Sequence, residues 1–192
     1  MPTSLLDAAD LAAVRAAARR RRGVGATMIA CLVEGGAFAH DPADPAWADR
    51  DHLIVAAAAL REPVATALAD AGHRHGGGHI SVAGGRGLAV AAGAASVVAL
   101  DGGVARVYCL LDGRAVDEGA TWEGALAGAA TPGLTALFLL APPVLDRARR
   151  LFATAGWRTA VADADDPVEL LGALDLAHAD DDRAGATLAV RA

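Results

Sequence analysis

The sequence predicts a three-layer α/β domain, doubly wound around a mostly parallel sheet. Three observations lead there. Strand-like apolar runs alternate with helical segments from residue 52 onward, which is the pattern of repeated βαβ units. An apolar run at 107–111 stops at Asp112-Gly113, an alanine-rich helix carrying Trp122-Glu123 follows, and a second run at 134–140 ends at Pro142-Pro143. Strand, turn, helix and strand in that order make one right-handed crossover, which sets the direction of the neighbouring strands. Hydrophobic residues are 54% of the chain but aromatics only 4%, so the core is Ala, Val and Leu, small enough for helices to lie close on a sheet.

The elements follow in order. Residues 5–22 read as one helix with Leu5, Leu6, Leu11 and Val14 on a stripe. The run Arg19 to Arg22 falls at its end, where cations complement the helix dipole, or where an anion or a partner's acid could bind. A helix at 26–34 stops at Gly35-Gly36, and 37–51 is a Pro/Asp-rich loop. A strand at 52–55 leads to a helix at 58–71, a glycine-rich connection at 72–87 and a helix at 88–100. After the central unit come a helix at 144–155, a strand at 157–162, a helix opened by Asp166-Pro167 and running to 178, and a last strand at 185–190. Neither repeat nor linker divides residues 1–192, so one domain is expected.

Bulk properties exclude several classes. A formal charge of -6 without a long basic face argues against nucleic-acid binding. The N-terminus lacks the apolar stretch of a signal peptide, and no run is long enough for a membrane span. Cys31 and Cys109 lie inside apolar runs and suit buried thiols in a reducing compartment, so a cytoplasmic location is expected. The chain has no Lys, Asn or Gln.

Among candidate sites, Asp112 ends a buried strand, where open α/β sheets bind ligands; a turn-capping carboxylate is the alternative. Gly84-Gly85-Arg86-Gly87 precedes a helix and could turn backbone N–H groups toward a phosphate. His73, His75 and His79 stand at a spacing that could wrap a metal ion, or form an exposed loop. No nucleophile elbow and no P-loop occurs.

At these residues the chain resembles the N-terminal, pyrophosphate-binding half of transketolases, in the split form where that half is a separate chain. HDPADPAWADRDHLIVA resembles the family's HDP-x-x-P-x-W-x-x-RDRFVLS, and GGRGLAVAAGAAS its LGQGL-x-x-A-x-GMA. VYCLLDGRAVDEGATWEGAL resembles VY-x-LLGDGEL-x-EGQ-x-WEA, and RRLFATAGWRTAVADADDPVELLGAL the FRAFGW-x-V-x-x-VDGHD segment with its following helix. The matches are collinear over nearly the whole length.

The resemblance implies a thiamine-diphosphate-binding fold, with thiamine diphosphate and magnesium as cofactors. It makes Asp112, Gly113, Glu118, Gly85 and Gly87 the cofactor-binding positions and Asp112 the metal ligand. No catalytic residue carries over. The departures fall at working positions. The first glycine of the Gly-Asp-Gly motif is Leu111, and the metal-binding Asn falls on Pro143. A Ser-x-Gly-His segment falls on alanines 56–59, and a Gly-His-Pro-Gly loop falls about where Arg19 to Arg22 stand. The fold is kept where the site is emptied.

Three functions are therefore expected, in descending order. The first is a non-catalytic or strongly diverged subunit of a split transketolase-like assembly, acting through a separate C-terminal-half partner, as a homodimer or a heterotetramer. The second is a working subunit of a ketol- or acyl-transferring, C–C bond-forming complex, in which Asp112 and Glu118 hold the metal and Arg114 or Arg19 to Arg22 neutralise the diphosphate. The third is a metal-binding or scaffold protein using the His73/His75/His79 loop.

Overall fold

The computed structural model describes residues 4–74, 79–81, 84–179 and 183–191. Helices α1 (Leu5–Ala8), α2 (Leu11–Arg21) and α3 (Ala26–Val33) precede strand β1 (His52–Val55). A 3-10 turn (Ala58–Leu60) leads into α4 (Arg61–Asp70), followed by β2 (His79–Ser81), α5 (Arg86–Leu100) and β3 (Val107–Asp112). A second 3-10 segment (Gly113–Asp117) leads to α6 (Gly119–Gly128), β4 (Leu134–Leu140) and α7 (Pro142–Thr154). The chain closes with β5 (Arg158–Asp163), α8 (Pro167–His178) and β6 (Gly185–Val190).

The six strands form one sheet in the order β2-β1-β3-β4-β6-β5, and every described pair is parallel. A parallel sheet needs both faces covered, so its inner strands are near-continuous apolar runs, broken by Thr135 and Thr187, rather than alternating ones. In β3, Tyr108 and Leu110 face the layer of α1 to α4 and α8, while Val107, Cys109 and Leu111 face that of α5 to α7. Both thiols are free and buried, and burial pushes Cys31 up to about 12 and raises Cys109 as well, so neither is a ready nucleophile.

Two expectations are corrected. The single helix over 5–22 is broken at Ala9-Asp10, because the Asp10 carboxylate accepts the N–H groups of Ala12 and Ala13, both at 3.0 Å, and starts a new helix. A short acidic side chain that binds nearby backbone competes with helix continuation. The connection over 72–87 contains an edge strand, β2, whose three residues are too few to show a period.

A buried polar group closes the amino ends of the strands. Asp51 accepts the N–H of Ala39 at 2.8 Å and of Arg106 at 2.6 Å. The Tyr108 hydroxyl donates to the Ala37 carbonyl, and His178 Nε2 lies 3.3 Å from it. Burial drives His178 down to about 3, with Arg106 adding to the effect, and drives Asp51 up to about 6.

The two act in opposite senses. The depressed His178 contributes stability that is present above about pH 6.5 and is lost as pH falls toward 3. The raised Asp51 contributes stability that is full below about 3.8 and is lost as pH rises through 6. Comparison with His178→Phe isolates the first. Between pH 7 and pH 4.5 the wild type should lose about 2 to 3 kcal/mol more than the variant by urea denaturation. Equal losses would contradict the assignment.

Candidate functional site

The strand order reverses between β1 and β3, since β2 lies on one side of β1 and the rest of the sheet on the other. Backbones diverge at such a point and leave a crevice at the carboxyl ends of the strands. A cavity of about 380 Å³ lies there, walled by alanines 56–58 and Leu111 and rimmed by Arg61, Asp112, Arg114 and Glu118. The wall is held by the neighbouring strand, because the N–H groups of Ala56 and Ala57 both donate to the Leu110 carbonyl.

Asp112 is half-buried at the end of β3, with its charge already matched. Its carboxylate accepts the Arg114 N–H at 3.0 Å, which starts the 3-10 segment, and pairs with the Arg114 guanidinium at 2.9 Å. The cap role and the cavity position thus coincide. Hydrogen bonding and the charge of Asp112 raise Arg114 further above its ordinary value. Gly113 has no positive φ, and a side chain there would meet Val144 only at ordinary contact distance, 3.6 Å, so no steric need keeps it glycine.

Glu118 is also engaged. It accepts the Gly85 N–H at 2.6 Å, placing a carboxylate of this chain at the start of α5, where an anion would otherwise sit. The turn is built around that contact. Gly84 has φ +56, and an added Cβ would stand 2.5 Å from Glu118 Oε2. At Gly85 a side chain would collide with the buried Thr121, whose hydroxyl has no hydrogen-bond partner among the described residues, and at Gly87 with Ala56. Gly87 therefore serves helix–strand packing.

The donor set does not fit magnesium and a diphosphate. Magnesium prefers near-octahedral oxygen ligation. Here Asp112 is held by Arg114, Glu118 by Gly85, the wall is alanine, and β4 is followed after Ala141 by Pro142-Pro143, which offer neither N–H nor side-chain oxygen. Among the described residues no group of three His, Cys, Asp or Glu could hold a metal. His73 Nε2 lies 2.8 Å from His40 Nδ1, a partner outside the expected triple. His75 lies outside the described residues, as does the side chain of His79. The Arg19 to Arg22 run is not at this cavity: Arg19 and Arg22 line another cleft, and Arg21 is tied to Glu34. Sequence reading missed Arg61 here, while Gly84 stood within the glycine turn it singled out. The close approach of Gly84 to Glu118, distant in sequence, carries no signal in the local pattern.

No family model matches the chain, and no curated protein is similar to it in sequence. Solved structures do match. The transketolase from Leishmania mexicana superposes with a TM-score of 0.75 at 17% identity, over 98% of this chain and 36% of that one. The transketolase from Campylobacter jejuni gives 0.71 at 17%, over 97% and 37%. A Mycobacterium smegmatis protein assigned to thiamin diphosphate-dependent enzymes gives 0.59 at 15%, over 74% and 29%. The fold is thus transketolase-like, and the chain spans about a third of the length of the transketolases it matches.

The Glu118–Gly84–Gly85 contact can be tested by a double-mutant cycle. Gly84→Ala should cost about 1 to 3 kcal/mol, from the left-handed φ and the collision with Glu118. Glu118→Ala removes the collision, so the pair should show a coupling of about 1 kcal/mol by urea denaturation. Additivity would contradict the geometry.

Proposed function

We propose that the chain is a transketolase-like subunit that acts through its surface, docking onto a separate chain that carries the pyrimidine-binding C-terminal half. The observation that carries this reading is the pairing of a self-occupied cavity with an unused apolar face. On α5, Val90, Val97 and Leu100 lie on one stripe and are exposed; on α6, Trp122 and Leu126 do the same. The two helices pack side by side, since Gly124 lets α6 approach the Ala89 backbone, where a Cβ would stand 2.8 Å away. Both stripes point away from the sheet into solvent. Exposed apolar stripes of this kind suit protein contacts. A chain about a third the length of the transketolases it matches supports a partner supplying the rest.

A second reading, an altered but working cofactor site, is favoured by Arg61 and Arg114, which line the same cavity as Asp112 and Glu118. Guanidinium groups can clamp a diphosphate. No metal ligand set accompanies them among the described residues.

Co-expression with a transketolase C-terminal-half chain should yield a complex in size-exclusion chromatography, and Val97→Glu with Leu126→Arg should abolish it while leaving the folded monomer. Failure to form the complex would sink the docking reading. In calorimetry, thiamine diphosphate with magnesium should give no saturable heat up to about 1 mM. Micromolar binding that Asp112→Ala abolishes would establish the second reading instead.

A further inference from the structure

We propose that a cleft over the carboxyl ends of β5 and β6 binds a small phosphate-bearing molecule. The cleft, of about 490 Å³, opens between the end of α2 and the starts of α3 and α8. Its size falls within the range of small-molecule sites. Arg15 and Arg19 line it from successive turns of α2, Arg22 from just past that helix, and Arg191 from just past β6.

None of the four arginine side chains makes an ion pair or hydrogen bond with another described residue. Arg21, inside the same run, behaves differently. It turns away, binds Glu34 through Nη1 and Nη2 and approaches Asp70 at 3.9 Å. Against the four positive charges the cleft walls set the single carboxylate of Asp165. The nearby Asp166 is already used, accepting the Val168 and Glu169 N–H groups at the start of α8.

The dipole of α2 accounts for cations in its last turn, but not for Arg15 one turn earlier or for Arg191, brought from the far end of the chain. Four like charges lining one cleft repel one another, on a chain whose formal charge is -6. A multiply charged anion removes that repulsion, and guanidinium forks match phosphate oxygens in pairs. Helix α3 starts after Gly25 without a side-chain cap, and Ala26 and Thr27 of its first turn line the same space. Arg22 is the one non-glycine described residue with positive φ, at 45°, so a side chain is kept where the backbone favours glycine. Asp165 can accept a hydroxyl from the body of such a ligand.

This cleft is separate from the cavity at Asp112, because β4 lies between their strands in the sheet. Two to three strand spacings put them roughly 10–15 Å apart. It depends on neither reading of that cavity.

Calorimetry on the full chain with inorganic pyrophosphate, in metal-free buffer and against sodium chloride at matched ionic strength, tests the assignment. Saturable binding is expected, with Kd raised about tenfold or more by Arg19→Ala combined with Arg191→Ala. Arg20→Ala, in the same run but outside the cleft, and Arg114→Ala, at the other cavity, should leave Kd within about twofold. The proposal is overturned by absence of saturable binding, by an equal loss in Arg20→Ala, or by loss in Arg114→Ala. Unchanged unfolding temperatures without ligand establish that the variants fold.

Discussion

The first turn of α5 is wedged between the end of β1 and the start of α6, with no room for a side chain. Gly87 lies under Ala56, Gly85 against Thr121, and Gly124 of α6 against the backbone of Ala89. Backbones that approach this closely exclude water and hold each element in one position, since interiors pack at near-crystalline density. The rest follows from that wedge. It sets the face that α5 and α6 turn outward, it fixes the alanine wall of the cavity, and it points the Gly85 N–H at Glu118.

Charge is distributed unevenly around the carboxyl rim of the sheet. At the β1/β3 switch point the chain neutralises itself, with Arg114 on Asp112 and Glu118 on the start of α5. Near β5 and β6 it leaves four arginines without partners among the described residues. A site whose charges are satisfied internally has little to gain from a cation or a diphosphate. A cleft whose charges are not satisfied has more to gain from an anion. The two places on one rim therefore suit opposite kinds of surface.

Much of the architecture was legible before any coordinates. The strands at 134–140 and 185–190 and the helix from Asp166-Pro167 to 178 fall where the patterns put them, because buried parallel strands read as unbroken apolar runs and proline marks a first turn. What failed was short or locally capped: Asp10 broke a helix that periodicity read as continuous, and β2 was too brief to show a period. At the candidate site, Asp112 and Glu118 were legible as positions on a cavity. Their occupation by Arg114 and Gly85 was not. An ion pair two residues apart has several rotamers open to it, and a bond across 33 residues depends on packing.

By itself the sequence determined the class of fold, the order of its longer elements, the buried setting of the two thiols and the lack of polar side chains at Leu111, alanines 56–58 and Pro143. These are matters of local pattern and chemical identity. Only the tertiary structure decided that Arg15, Arg19, Arg22 and Arg191 share one cleft while Arg21 leaves it, that His73 meets His40, and that Gly124 of α6 packs on the backbone of Ala89. Such meetings depend on how crossovers stack helices on a twisted sheet, and spacing along the chain carries no record of that.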